Sequence, residues 1–160
     1  MSDRKALVAG MSNITILTKE QFEKKFSVEA NSFSPEIIYI LPEENNSNQC
    51  VLNEYTPEIK KLAKLKNFSC EVIYDKNNCD YLVLRDSQII LPFIVSLTAS
   101  LCCDFLIYII SRKFEKEKNL KVRMFVMNDN ENNVSEIVIE GDTESVLKTL
   151  EIIKKDKLEK

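Results

Sequence analysis

The chain has 160 residues, of which 44% are hydrophobic and 29% charged, with 22 basic against 25 acidic side chains and a formal net charge of -3. This composition is that of a single globular domain and excludes disordered and fibrous classes; nucleic-acid binding would require a local basic patch. Histidine is absent and glycine is confined to Gly10 and Gly141. That removes Ser-His-Asp and Cys-His nucleophile pairs, histidine-bearing zinc sites, phosphate loops and dinucleotide fingerprints.

In chain order, MSDRKALVAGMS has the charges of a secretion signal, but its apolar run from Ala6 to Met11 is too short for one. NITIL (13–17) reads as a short strand. Thr18 with Gln21 then matches a capping box opening a short helix through QFEKKF. EIIYIL (36–41), set between Pro35 and Pro42, has the dense apolar character of a buried strand, and the polar EENNSNQ (43–49) reads as a surface loop. Thr56 and Pro57 start a helix whose apolar face is Ile59, Leu62, Ala63 and Leu65. CEVIYD (70–75) returns to strand, so strand, helix and strand predict a crossover with parallel neighbours. A turn at KNN (76–78) leads to a further strand, YLVLR (81–85).

The segment LPFIVSLTASLCCDFLIYIIS (91–111) is the most apolar of the chain. A membrane-spanning helix needs about 20 such residues. Each Leu, Ile, Phe or Val contributes only about 0.3–0.6 kcal/mol to insertion, so the cost of Asp104, about 2.5–3.5 kcal/mol, cancels roughly six or more of them. Read as one helix, the segment carries Ser96, Ser100, Asp104 and Tyr108 at four-residue spacing, a polar seam continued by Ser111 and Glu115. A regular seam on an otherwise apolar helix predicts burial in a folded domain with one edge toward water or a polar partner. The surplus apolar surface is expected to be covered by the last helix or by another chain. Membrane association through residues 89–111 is the competing reading.

After FEKEKN, the segments KVRMFVM (121–127) and VSEIVIE (134–140) flank the polar NDNENN and predict a hairpin. Gly141 is expected to break the strand. Asp142 or Thr143 then caps a final helix lined by Val146, Leu147, Leu150, Ile153 and Leu158. The fold class is α/β, with α+β as the variant: a mixed sheet packed by helices in the order strand, helix, strand, strand, long helix, strand, strand, helix, in a single domain spanning 1–160.

Four clusters are candidates for chemistry. Cys102 and Cys103 suit a redox or metal pair, but on an apolar helix they read as core residues. Asp129, Asn130, Glu131 and Asn132 evoke a calcium loop, yet the required glycine is missing and Ile139 stands where a bidentate Glu is needed, so a hairpin turn fits better. Lys60, Lys61, Lys64 and Lys66 have no interleaved aromatic for base stacking and read as a solvated helix face. Asp104 is a candidate acid of raised pKa, and its seam of Ser96, Ser100, Asp104 and Tyr108 is the candidate interface or pocket. No catalytic, cofactor or metal residue is assigned. The five cysteines, odd in number and without C-x-x-C spacing, suit a reducing, cytoplasmic setting.

The carboxyl half, from DYLVLRDSQIILPF through the apolar helix and hairpin to VIEGDTESVLKTLEIIKK, resembles small bacterial α/β proteins over roughly residues 80–155. Some of these are encoded beside multi-gene defence or signalling systems. The resemblance implies an accessory role alongside another protein and transfers no functional residue. The leading expectation is therefore a non-enzymatic protein that binds itself or a protein partner through the long helix and an exposed strand edge. A ligand-binding or enzymatic pocket near Asp104 is the alternative.

Overall fold

The computed structural model describes residues 11–26, 28–43, 50–73, 79–82, 88–114, 118–128 and 132–158. The expected surface loop at 43–49 begins with Glu43, which is buried; the rest of that loop, the turn at 76–78, the end of the YLVLR strand, Glu115 and the hairpin tip at 129–131 lie outside them.

The chain opens with β1 (Met11–Thr18) and α1 (Lys19–Phe26), separated by the expected capping box. The Gln21 amide donates to Thr18 Oγ1 at 3.0 Å, and the Thr18 amide donates to Gln21 Oε1 at 2.9 Å. A 3-10 turn at Ala30–Ser32 leads to β2 (Ile38–Leu41), β3 (Cys50–Asn53), α2 (Thr56–Leu65), β4 (Cys70–Val72) and β5 (Cys79–Leu82). The carboxyl half comprises β6 (Ile89–Ser96), α3 (Ala99–Lys113), β7 (Asn119–Asn128), β8 (Asn133–Asp142) and α4 (Thr143–Leu158).

These elements form a mixed six-stranded sheet in the order β1-β8-β7-β6-β2-β4, with β3 and β5 in a separate two-stranded sheet. The α/β class is as the sequence implies. β2 and β4 are parallel neighbours joined across α2, and β6 and β7 are parallel neighbours joined by α3. β7 and β8 form the expected antiparallel hairpin, and β1 closes that side by pairing antiparallel to β8 over its whole length.

The central strands of the sheet are buried on both faces. On one, Ile38, Ile40, Leu91, Ile94, Val122, Met124, Ile137 and Ile139 lie beneath α2, α3 and α4. On the other, Phe22 and Phe26 of α1 pack with Phe33, Phe93 and Phe125 in edge-on aromatic contacts. A central strand buried on both faces reads as a continuous apolar run. For that reason the expectation of one helix over 91–111 is corrected: its first part is the strand β6, and the helix begins only at Ala99. Pro92, which would have suited the first turn of such a helix, belongs to the strand instead. Thr98 marks the true helix start, its Oγ1 accepting from the Leu101 amide at 3.2 Å.

Three smaller expectations are also revised. Thr56 is inside α2 rather than its cap; its buried hydroxyl lacks a hydrogen-bond partner, while the amide of the preceding Tyr55 donates to Asn53 Oδ1 at 3.0 Å. Leu65 is exposed rather than part of the apolar face of α2. That helix ends in a left-handed turn at Asn67 (φ 61°), where the Phe68 amide reaches the Ala63 carbonyl at 2.9 Å and the Phe68 ring packs on Phe105. Gly141 does not break β8: at φ 155° it continues the ladder opposite Leu120, and Asn119 still pairs with Asp142.

Asp142 caps α4, its Oδ1 accepting from the Ser145 amide at 2.7 Å. The backbone bond from Ser145, followed by the Ser145 side chain, holds the carboxyl below its ordinary value of 3.8. A depressed folded pKa contributes stability that is complete above the unfolded value and lost as pH falls through the folded one. Thermal unfolding followed by circular dichroism is expected to place Asp142→Asn below the parent in Tm at neutral pH. The gap should close as the pH drops beneath the carboxylate range.

Candidate functional site

The polar seam expected on α3 divides. Ser96 lies at the end of β6, fully buried, with its Oγ accepting from the Thr98 amide at 3.2 Å. Ser100, Asp104 and Tyr108 do share the outer ridge of α3, half-exposed between α2 and α4. Asp104 Oδ1 is ion-paired with Lys154 Nζ of α4 at 2.5 Å. Tyr108 packs against Phe68, with the Lys66 and Arg112 cations about its ring. The ridge therefore works as a tie between helices: its carboxylate is neutralised by a neighbour and its phenol ring is stacked.

Around the rest of its girth, α3 is enclosed. Ala99, Cys102, Cys103, Phe105, Leu106, Ile109 and Ile110 are buried against the sheet, α2 and α4. The last helix, one of the expected covers for its apolar surface, packs on it through Val146, Leu150 and Ile153. Among the described residues no helix is long and apolar enough to cross a membrane.

Cys102 and Cys103 are free thiols. Burial pushes the Cys102 thiol well above its ordinary value, and burial followed by the neighbouring Asp104 charge pushes Cys103 up to about 12. Burial likewise raises half-buried Cys70 to about 11. Since the thiolate is the nucleophile and the metal ligand, none of these three is poised for either role near neutral pH. Among the described residues no group of three or more His, Cys, Asp or Glu side chains is placed to hold a metal ion. The lysines of α2, Lys60, Lys61 and Lys64, and Lys66 just beyond it, are all exposed, as a solvated face requires.

One polar cluster was not anticipated. Arg123 of β7 reaches Glu43 Oε2 through Nη2 at 2.5 Å, with side-chain exposures of only 12% and 6%. The same guanidinium donates to the Leu91 carbonyl from Nε at 3.2 Å and Nη2 at 2.8 Å, and stacks 3.8 Å from the centroid of Phe93. Buried Asn53 donates from Nδ2 to Glu43 Oε2 at 3.1 Å and to the Ile90 carbonyl at 3.0 Å. Arginine suits this place because its planar fork can serve a carboxylate and a carbonyl while its face lies on a ring. The signal in the sequence was an arginine amid the apolar residues of KVRMFVM, on the strand face that also carries Phe125 and Met127. With the buried charge of Arg123 paired to Glu43 and its donors on the Leu91 carbonyl, the cluster is a structural joint.

The open part of the molecule is β1. Ile14 and Ile16 are 40% and 57% exposed. Their partners across the ladder are Ile137 and Ser135, so they stand on the helix-covered side of the sheet. α4 lies over β7 and β8 and leaves β1 open. On the edge away from β8, β1 has no strand partner among the described residues. The strand is eight residues long, MSNITILT, and its ladder with β8 runs without a bulge. It contains no charged residue and no proline, the usual devices that keep sheet edges apart.

No protein-family model, curated protein or solved structure matches this chain. The geometry alone therefore carries the functional reading.

Two measurements check the assignments of structural roles. Urea denaturation of Arg123→Leu is expected to show a loss of about 3–5 kcal/mol, because the Glu43 charge is left buried without its partner. The double variant Arg123→Leu with Glu43→Leu should recover much of that loss. Maleimide labelling read by mass spectrometry should leave Cys102 and Cys103 unmodified in the native protein at neutral pH and modify both in denaturant.

Proposed function

We propose that this is a non-enzymatic, cytoplasmic interaction protein that binds another polypeptide by strand addition at the open edge of β1. The observation that carries the reading is that edge: eight uncharged, unbulged residues with Ile14 and Ile16 exposed beside it. An added strand would satisfy the outward backbone groups of β1, and alternate side chains would pack on the two isoleucines. The long helix, expected to make the contact, is supported instead as internal packing, since the large exposed apolar residues described are Ile14, Ile16, Leu65 and Ile152. The chemistry of the thiols and the neutralised Asp104 gives no support to a nucleophile or an acid at the seam. An accessory role beside other proteins fits a chain whose distinguishing surface is a binding edge.

Affinity capture with the intact chain tests the reading. The wild-type protein is expected to retain a bound polypeptide, its own chain or another, that Ile16→Lys loses and that the control Lys61→Glu on α2 keeps. Ile16 is exposed, so the variant should fold with an unchanged circular dichroism spectrum. Retention identical in wild type and Ile16→Lys would refute the assignment of β1 as the binding edge.

A further inference from the structure

We infer that the polypeptide added at β1 is a second copy of this chain, the two β1 strands pairing antiparallel about a two-fold axis through Thr15. The inference rests on the strand-addition reading above and names its partner.

A two-fold interface is isologous, so each residue must be compatible with its own symmetry mate. Few strands meet this condition, because a charge would be brought near its own copy or a bulky residue set against a mismatched one. Residues 12–18 read Ser, Asn, Ile, Thr, Ile, Leu, Thr, a sequence chemically symmetric about Thr15. In the register centred there, Thr15 faces its own mate, Ile14 faces Ile16 of the second copy, and Ser12 faces Thr18. Asn13 opposite Leu17 is the one unlike pair. Threonine pairs and β-branched pairs are among the favourable cross-strand neighbours. No charge meets a like charge, since β1 carries none.

The two faces behave differently. On the helix side, the exposed Ile14 and Ile16 of both copies would form one continuous apolar patch across the seam, which neither copy buries alone. On the other side, Asn13 and Thr15 are exposed, a polar surface that can remain in water. The ladder between β1 and β8 is unbroken, so β1 presents a regular outer edge. Pairing would join two six-stranded sheets into one. A single strand edge with its isoleucines buries less than the ~800 Å² per partner of a standard interface. The expected association is accordingly micromolar and reversible.

Sedimentation velocity of the full chain from micromolar to sub-millimolar concentration is expected to show a monomer–dimer equilibrium, weakened about tenfold or more in Ile16→Lys. Cysteine trapping in oxidised glutathione reads the register. Thr15→Cys should cross-link to itself, because directly opposed residues lie about 4.5–5.5 Å apart between Cα atoms, within reach of a disulfide. Asn13→Cys should not, its mate being about 14 Å away along the strand. It should cross-link when mixed with Leu17→Cys. The wild-type chain, with Cys102 and Cys103 buried, is the background. A chain monomeric throughout overturns the inference, as does a dimer indifferent to Ile16→Lys or trapped equally at Asn13 and Thr15. If the monomer nevertheless retains another protein that Ile16→Lys loses, the strand edge stands and only the second copy is rejected; if it retains nothing, both fall.

Discussion

Pro92 has no amide hydrogen, yet it sits in a strand paired on both sides. β6 borders β2 through Phe93–Val95 and β7 through residues on either side of a register shift between Ile90 and Phe93. A proline in a central strand is tolerated only at such an irregularity. Because of the shift, Leu91 and Ile94, an odd number of residues apart, both point under the helices, whereas Phe93 and Val95 point to the aromatic layer. The Ile90 and Leu91 carbonyls lie beside this irregularity. Buried carbonyls must find donors, and Asn53 and Arg123 supply them. Glu43 then neutralises the arginine and accepts from the asparagine. The buried charge and a link from the small sheet containing Asn53 to the large one are thus both found beside the proline.

The layers on the two sides of β6 are of different character. On one, three helices cover the sheet with aliphatic side chains, and α3, at their centre, is apolar on most of its surface because neighbours enclose it. The polar ridge that remains is used for contacts to those neighbours, through Asp104 with Lys154 and Tyr108 with Phe68. On the other, a short helix carries Phe22 and Phe26 onto Phe93 and Phe125, and ring area compensates for its eight-residue length. α4 ends the helical layer over β8, which leaves the helix side of β1 wet.

Much of this arrangement was legible in residue order. The capping box at Thr18 and Gln21, the hairpin of β7 and β8, the parallel pairing of β2 with β4 and the cap at Asp142 all depend on neighbours close in sequence or on apolar periodicity. Residues 91–111 were misread because a fully buried strand and a buried helix are both unbroken apolar runs, and periodicity alone does not separate them. Thr98, a favoured residue at a helix start, held the information that does, whereas Pro92 would suit a first helical turn. The Arg123 cluster was invisible for another reason: its members, at 43, 53 and 123, meet only through tertiary structure. The exposure of Ile14 and Ile16 likewise follows from how far α4 extends across the sheet, which no local pattern encodes.

The pairing of Met11 with Glu140 has a kinetic side. During synthesis β1 emerges well before the strand it joins, and closing so long a loop carries an entropic cost. The hairpin of β7 and β8, being local, forms quickly once it leaves the ribosome. Of the described pairings in the large sheet, this one joins the strands farthest apart in sequence, so until β8 is made the nascent chain carries a β-segment without charge and without its partner.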